Sequence, residues 1–282
     1  MAREMSFARQ VAQALLTVQR KALWRPFMRA VREYALIQPG DRIAVCVSGG
    51  KDSMLLALLM GQLQAHSEAP FEAVNLIMDP GYAPEHRREI EANAELLALP
   101  CTLVESDVFE AAERAGGNPC FMCARMRRGC LYRHARALGC NKIALGHHFD
   151  DVIETTLMAM LYGGQIQTMA PRLRAENFPG MEVIRPLYKI RERDILAWRD
   201  AWGLVFSPCA CRLRESAGAG DSRRAFVKRL IAELDAEHPK VSRNIFNSVH
   251  AVQLDTLVGW KQGGVWHSFL EGFEDGRGQG EE

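Results

Sequence analysis

The sequence predicts an α/β protein with a parallel β-sheet and helices on both faces. Over residues 42–147, short apolar runs alternate with amphipathic segments, a pattern typical of strands followed by helices. Such alternation produces βαβ units with right-handed crossovers. With 282 residues, 48% of them hydrophobic, the chain is long and apolar enough to bury a sizeable core. We also expect an added N-terminal helix and a small helical C-terminal part.

Four apolar runs are predicted to be buried strands, and ligands of such sheets bind at the carboxyl ends of the strands. The helical patterns between them begin at Lys51, Ala83 and Arg125. A fifth strand is predicted within residues 181–187 and a further helix over residues 191–203. The four runs are Arg42 to Ser48, Ala73 to Asp79, Cys101 to Ser106 and Lys142 to His147.

Changes in composition divide the chain into four predicted parts. Residues 1–35 form a helical extension, and residues 36–205 form the α/β domain. Residues 206–265 form a helical part that begins with the last two cysteines, and residues 266–282 form a flexible acidic tail.

The chain lacks the marks of a secreted or membrane protein. Polar residues Arg9, Gln10 and Gln13 interrupt the apolar pattern near the N-terminus, so it does not read as a signal peptide. No stretch approaches the roughly 18 apolar residues that span a bilayer. We therefore expect a cytoplasmic protein with reduced thiols, in which paired cysteines more often bind metal or react than form disulfides.

The stretch VSGGKDS, residues 47–53, predicts an anion-binding loop. It lies between a predicted strand and a predicted helix, where backbone N–H groups and the positive helix end converge on phosphate. Gly49 and Gly50 allow close backbone approach, while Ser48, Lys51 and Ser53 add groups that bind phosphate. A purely structural strand-to-helix turn is the alternative. The spacing is not that of a Walker A loop.

This loop resembles the PP-loop of the ATP pyrophosphatases. The resemblance implies that the chain cleaves ATP between the α- and β-phosphates and transfers AMP to an oxygen atom. It implies an adenine nucleotide alpha hydrolase-like fold, ATP binding by all six residues of positions 48–53, and catalytic roles for Lys51 and Asp52.

A second group of polar residues follows the fourth predicted strand. Gly146 and His147 end that strand, and Asp150, Asp151 and Glu154 fall in the first turns of the next helix. Acids at that position stabilise a helix N-terminus, which is the structural alternative for one of them. Adjacent carboxylates beside a phosphate site also suit Mg²⁺.

The segment is similar to the G-H-x-x-D-D-x-x-E-T block of PP-loop tRNA-modifying enzymes, with Thr155 at its last position. That similarity implies nucleotide binding by Gly146, His147, Asp150 and Asp151, with Asp151 also catalytic.

The pair Cys120 and Cys123 has the C-x-x-C spacing. A zinc knuckle, a thiol redox pair and iron–sulfur ligands all use this spacing. Zinc would need four ligands, which only the addition of Cys209 and Cys211 supplies. Thiolates equally suit an iron–sulfur cluster, and a catalytic persulfide without any cluster is a further alternative.

Together these motifs resemble the tRNA 2-thiocytidine synthetases, the tRNA-cytidine 2-sulfurtransferases, from about residue 42 to residue 252. The resemblance implies a 4Fe-4S cluster held by Cys120, Cys123 and one later cysteine. Alignment on Pro208 favours Cys209, but this chain has C-x-C where the family has C-x-x-C, so Cys211 is a rival ligand.

The resemblance implies ATP-dependent thiolation of a tRNA cytidine, at position 32 of the anticodon loop. The implied cofactors are the cluster, ATP and Mg²⁺, and the implied partners are tRNA, a sulfur donor such as a cysteine desulfurase, and a second copy of the chain. A 2-thiouridine-type thiolase, a non-catalytic zinc or iron–sulfur RNA-binding module and a small-molecule amidotransferase are the alternatives. Basic residues expected at the tRNA backbone are Arg125, Arg127, Arg128, Arg133, Arg136, Arg185, Arg191, Arg193, Arg212, Arg214, Arg223 and Arg224.

Overall fold

A six-stranded, mostly parallel sheet organises the chain, whose residues 5–114, 119–206 and 222–271 are described by a computed structural model. The strand order is β3-β2-β1-β4-β6-β5, and only β5 and β6 pair antiparallel. The predicted fold class is confirmed, although the short edge strand β5 was not predicted. The strands are β1 (Arg42–Val47), β2 (Glu72–Asp79), β3 (Cys101–Glu105), β4 (Lys142–Ala144), β5 (Arg172–Arg174) and β6 (Glu182–Ile184).

Helices lie on both faces of the sheet, as the side chains of β1 show. Ile43 and Val45 point into the larger core together with α3 and α7, whereas Ala44 belongs to a second apolar cluster with α6. The helices are α1 (Phe7–Leu16), α2 (Arg25–Glu33), α3 (Lys51–His66), α4 (Pro84–Leu96), α5 (Val108–Arg114), α6 (Pro119–Ala137), α7 (Phe149–Gly163), α8 (Glu192–Ala201), α9 (Ser222–Glu237) and α10 (Val241–Ser248).

The order of the strands reverses at β1, which has β2 on one side and β4 on the other. In open α/β sheets this switch point opens a crevice at the carboxyl ends of the strands. The loop after β1 and the segment after β4 therefore meet. β4 is shorter than predicted: it ends at Ala144 instead of His147, because its neighbour β6 offers only three residues for pairing.

The termini add elements of two kinds. A π-helical turn, Arg20–Trp24, joins α1 to α2, and both helices pack on the larger core. After α10 a 3₁₀ turn leads to an antiparallel hairpin of β7 (Gly259–Gln262) and β8 (Val265–Ser268). The hairpin was not predicted, since residues up to 265 were expected to be helical and those from 266 to form a tail. The four-part division itself stays a prediction.

In the part of the chain that the structure describes, no helix combines the length and the apolar character needed to cross a membrane.

Candidate functional site

The loop of residues 48–53 is closed by the side chain of Ser53. The Ser53 hydroxyl accepts a hydrogen bond from the Ser48 amide at 3.1 Å and donates one to the Gly50 carbonyl at 2.9 Å. The Ser48 hydroxyl lies 3.2 Å from the Ser53 hydroxyl oxygen. Since α3 begins at Lys51, the loop amides and the helix N-terminus present partial positive charge together. The loop has the form expected of a phosphate cradle.

Two glycines are required by close contacts. Gly49 has φ +85°, and a Cβ there would lie 2.4 Å from Ile90 Cγ1. A Cβ on Gly146 would lie 3.2 Å from the backbone carbon of Asp52 and the amide nitrogen of Ser53. Gly146 thus lets the segment after β4 lie directly against the loop after β1, as predicted for a shared site.

Lys51 is held between two carboxylates at the mouth of the loop. Its Nζ lies 3.1 Å from Asp52 Oδ2 and 3.2 Å from Glu192 Oε1. Without a nucleotide the Lys51 ammonium contacts these carboxylates. When a nucleotide binds, the ammonium can contact phosphate oxygens instead. The predicted phosphate-binding role of Lys51 therefore agrees with its position.

Glu192, which the sequence analysis did not identify, connects three parts of the site. Its Oε2 accepts a hydrogen bond from Lys228 Nζ at 2.5 Å, and its backbone N–H donates to Asp150 Oδ2 at 2.6 Å. Burial alone would raise the pKa of Glu192, but the hydrogen bond from Lys228 and the charge of Lys51 outweigh it and lower the pKa to about 2. Glu192 is therefore ionised at neutral pH.

Asp150 is engaged by the same segment. Arg191 Nη2 lies 3.0 Å from Asp150 Oδ1 and 3.6 Å from Asp235 Oδ2 on α9. The Arg191 guanidinium also stacks over the ring of Phe149, 4.8 Å from its centroid. Arg191 was predicted at the tRNA backbone, but the structure places it in this ion-pair network. The carboxylate of Asp150 is thus bound by protein groups, and it positions Arg191 and Glu192 in the site.

Asp151 and His148 cap α7 reciprocally. The His148 amide donates to Asp151 Oδ2 at 2.9 Å, and the Asp151 amide lies 3.4 Å from His148 Nδ1. Arg224 Nη1 on α9 is 3.8 Å from Asp151 Oδ1. Asp151 therefore has a structural role in addition to the catalytic role predicted for it.

Asp52 offers the site an oxygen without a partner. Its Oδ1 is buried and, among the described residues, has no hydrogen-bond partner. His148 Nε2 lies 3.9 Å from this oxygen. A buried carboxylate oxygen left in this state is satisfied by a ligand, and Mg²⁺ or a nucleotide hydroxyl would suit it.

His147 is half-buried, and its Nδ1 is a buried atom with no hydrogen-bond partner within the described ranges. Burial lowers the pKa of His147 to about 4, against the opposing charge of Asp151. The ring is therefore neutral at pH 7. Glu154, on α7, has its pKa raised by burial and lies 4.0 Å from Arg224. These groups form the inner wall of the site.

The C-x-x-C pair lies on α6, in its first two turns. Cys123 is buried in an apolar cluster with Met78 and Phe109. Met78 is the penultimate residue of β2, so Cys123 lies at the same edge of the sheet as the loop after β1. Residues three apart on a helix share a face, as two ligands of one cluster must.

The remaining predicted ligands, Cys209 and Cys211, fall outside the described residues, as does the side chain of Cys120. Within the described ranges, no group of three or more His, Cys, Asp or Glu residues is arranged to hold a metal ion. Burial raises the pKa of the Cys46 thiol, and it raises that of Cys101 to about 11, which fits packing roles for both.

Three comparisons place the chain among known proteins. Residues 15–207 match the PP-loop domain family. The tRNA-cytidine(32) 2-sulfurtransferase of Anaeromyxobacter dehalogenans (strain 2CP-C) is 37% identical over 241 residues, which cover 84% of this chain and 81% of the relative. The enzyme of the same name from Geobacter sulfurreducens is 38% identical over 232 residues, covering 80% and 87%.

Among solved structures, the U34-tRNA thiolase NcsA from Methanococcus maripaludis, with its 4Fe-4S cluster, is similar with a TM-score of 0.64. The identity is 22%, and the match covers 80% of this chain and 77% of that one, so it supports the fold. The sequence matches go further, since they extend over the loop, the block after β4 and most of both chains. The chain belongs to the PP-loop family and, within it, to the family of the tRNA-cytidine(32) 2-sulfurtransferases.

Proposed function

We propose that this chain thiolates tRNA, using ATP to activate the C2 oxygen of cytidine 32 and replacing that oxygen with sulfur. The observation that carries the proposal is the convergence of three groups at one edge of the sheet. They are the closed loop, Lys51 and an oxygen of Asp52 that has no hydrogen-bond partner among the described residues. This arrangement occurs in a chain 37% identical to an enzyme named for that reaction.

The loop and Lys51 serve the adenylation step. The C2 oxygen attacks the α-phosphorus of ATP, the bond to the β-phosphate oxygen breaks, and pyrophosphate leaves. Lys51 Nζ exchanges its contact with Glu192, at 3.2 Å, for the phosphate oxygens on which negative charge grows. Loss of one such donor typically costs 2.7–4 kcal/mol in other enzymes. Attack of a sulfur nucleophile on C2 then expels AMP.

Mg²⁺ is proposed at Asp52. The buried Oδ1 of Asp52 has no hydrogen-bond partner among the described residues, whereas both oxygens of Asp150 contact Arg191 or the Glu192 amide. Carboxylate and phosphate oxygens are the usual Mg²⁺ ligands. Asp151 Oδ1 is the second proposed ligand, since among the described cations only Arg224, at 3.8 Å, is paired with it.

A 4Fe-4S cluster is proposed on Cys120, Cys123 and Cys209, with Cys211 as the rival for the third place. The two cysteines stand three residues apart on α6, and Cys123 lies at the edge that also holds the ATP loop, which supports this donor set. When bound, such a cluster supplies an iron with an open position that carries sulfur.

Iron, sulfide and zinc analysis of the anaerobically purified protein tests this ligand set. We expect about four irons and four sulfides per chain, lost in Cys209→Ala and retained in Cys211→Ala. One zinc, lost in both variants, would show a structural knuckle instead. No metal at all, with activity retained, would indicate a persulfide on the C-x-x-C pair.

The remaining proposed partners and the compartment are those that the family resemblance implies. A cysteine desulfurase supplies the sulfur, a second copy of the chain completes a homodimer, and the enzyme works in the cytoplasm, where tRNA and ATP meet.

The test of the function is a thiolation assay with reconstituted protein, ATP, Mg²⁺, sulfide and a tRNA transcript with cytidine at position 32. We expect 2-thiocytidine at that position by mass spectrometry, and none in a transcript with uridine there. Thiolation of uridine only would favour a 2-thiouridine enzyme, while ATP turnover without tRNA would favour a small-molecule substrate.

A further inference from the structure

Positive charge is concentrated near the N-terminus. Residues 5–33 contain six basic residues and one acid, a net charge of +5, while the whole chain carries +1. The other residues together therefore carry −4. No acid occurs between residues 5 and 32. A helix that is charged only for solubility usually mixes both signs, so this asymmetry indicates an anionic partner.

The structure places these cations on one concave surface. Arg25, Arg29 and Arg32 recur at helical spacing on one face of α2 and are exposed. With Arg20 of the π-helical turn they line a hollow of about 690 Å³. The rest of its wall is formed by Trp24, Met28, Glu33, Leu63 and His66. We call Arg20, Arg25, Arg29 and Arg32 the basic N-terminal surface.

Most of these cations are available to a ligand. Within the described residues, Arg29 alone of the four lies within 4.0 Å of a carboxylate, Glu33 at 3.5 Å. Glu33 is itself neutralised by Lys189 at 2.5 Å, whose hydrogen bond lowers the pKa of Glu33. Arg20, Arg25 and Arg32 have no carboxylate partner of this kind in the described part of the chain. They can contact an anion without first breaking an ion pair.

We propose that the basic N-terminal surface binds the sugar-phosphate backbone of the tRNA at a distance from the target nucleotide. The proposal rests on the proposed function, because it takes tRNA as the ligand. Guanidinium groups bind phosphate oxygens in a bidentate manner. Rows of like charge at a spacing of one helical turn suit a polyanion better than a single small anion.

The distance between this surface and the ATP site suits one RNA molecule. Helix α3 begins at Lys51 in the site and ends at His66 in the hollow, and its 16 residues span about 24 Å. An A-form RNA duplex rises less per base pair than the roughly 3.4 Å of DNA, so at least about seven base pairs cover that length. A tRNA held by its target base can therefore reach the surface with a stem.

The test replaces Arg20, Arg25, Arg29 and Arg32 by Gln and measures binding of a tRNA transcript by fluorescence anisotropy over a range of salt concentrations. Each phosphate contact contributes about 0.7–0.9 to the slope of log K against log salt. Loss of four contacts should lower that slope by about 3 and weaken binding at least tenfold at 0.1 M salt. ATP binding, by equilibrium dialysis, should stay unchanged.

A matched control removes four exposed cations elsewhere, and a charge-retaining variant replaces the same four arginines by Lys. We expect the control to bind as wild type does and the Lys variant to keep most of the slope. Equal losses in the test and control variants would mean that only net charge matters and would overturn the proposal. The control substitutions are Arg88→Gln, Arg114→Gln, Lys240→Gln and Arg243→Gln.

Other outcomes separate this proposal from the proposed function. If wild type thiolates tRNA and the Gln variant binds it with unchanged slope, the surface proposal fails and the function stands. If wild type binds no tRNA, both fail. Binding of anionic lipid vesicles or of an acidic protein that depends on the four arginines, with tRNA binding unchanged, would assign the surface to that partner instead.

Discussion

The carboxyl edge of the sheet and the basic N-terminal surface are both rich in charged side chains, but they differ in how those charges are paired. At the carboxyl edge of the sheet, Lys51, Arg191 and Lys228 each lie within 4.0 Å of a carboxylate. On the basic N-terminal surface, three of the four arginines lack a carboxylate partner within the described chain. Paired, half-buried charges act through their position, whereas solvated charges of one sign act through their field.

This difference separates two tasks of an enzyme with a large polyanionic substrate. The site must hold a few atoms precisely, and the network of Arg191 and Glu192 fixes groups from α3, α7 and α9 relative to each other. The surface only has to hold a backbone. Substitutions in the site should thus change catalysis with little effect on the salt dependence of tRNA binding, and substitutions on the surface should do the reverse.

The largest effect is expected from Lys51→Ala, which removes the cation from the loop. We expect AMP formation in the presence of tRNA to fall by about 10²–10³-fold, because a charged donor to the reacting phosphate is lost. The slope of tRNA binding against salt should not change. Release of AMP is measured by chromatography, with Lys240→Ala as the control for an exposed lysine. If Lys51→Ala lowered the slope of log K for tRNA binding against log salt as far as the four-arginine variant does, the two regions would not have separate tasks.

Acid should affect the site and leave the surface unchanged. The unfolded chain protonates His147 near pH 6.5, but the buried native ring does so only near pH 4. Stability contributed by the depressed pKa of His147 is therefore complete above pH 6.5 and is lost as the pH falls to 4, by up to roughly 3 kcal/mol.

Urea unfolding from pH 7 to pH 4 checks this expectation. His147→Gln should show a flatter profile than wild type over that window. The surface variant should parallel wild type, since guanidinium groups stay charged throughout. Parallel profiles for His147→Gln and wild type would show that His147 titrates normally.

The two glycines of the loop should respond differently to the same methyl group. Gly49→Ala places a Cβ 2.4 Å from Ile90 Cγ1 at φ +85°, so we expect unfolding free energy to drop by about 1–3 kcal/mol. Gly50→Ala meets no atom closer than 3.8 Å and has φ −79°. Its stability should change by less than about 1 kcal/mol, while KM for ATP rises. Equal loss of stability in both would refute the assigned clash.

A smaller effect on catalysis than that of Lys51→Ala is expected from Glu192→Gln, which keeps the shape of the side chain and removes its charge. Lys51 loses one of two acids that position it. We expect kcat to fall about tenfold, equal to roughly 1.4 kcal/mol, and KM for ATP not to rise, because Glu192 competes with phosphate for the ammonium. The matched variant is Lys228→Gln, because the Lys228 ammonium contacts the other carboxylate oxygen of Glu192. It should lower kcat less than Glu192→Gln does. A raised KM at unchanged kcat would give Glu192 a different role.

The sequence predicted the parts of this protein that depend on local pattern. The runs that became β1 and β2 have the apolar residues of buried parallel strands, and α3 begins and ends at the predicted residues Lys51 and His66. The position of the loop followed from the rule that strand ends carry ligands.

What escaped prediction depends on contacts between distant residues. Glu192 contacts Lys51, which is 141 positions away in the sequence, and Lys228, which is 36 positions away. No local sequence pattern identifies it. One signal was available: Glu192 follows the predicted strand within residues 181–187, whose carboxyl end had to face the site. The hairpin of β7 and β8 was missed because its strands have four residues each and expose Val265 and Trp266, so they lack a buried alternation.

The account rests on attack of the cytidine C2 oxygen on the α-phosphorus of ATP at the loop of residues 48–53. A tRNA carrying ¹⁸O at C2 of cytidine 32 tests this directly, by mass spectrometry of the AMP released in a single turnover. We predict that the AMP carries the ¹⁸O and that its amount equals that of the 2-thiocytidine formed. Unlabelled AMP, with the ¹⁸O retained in the tRNA or lost to water, would contradict adenylation of the base.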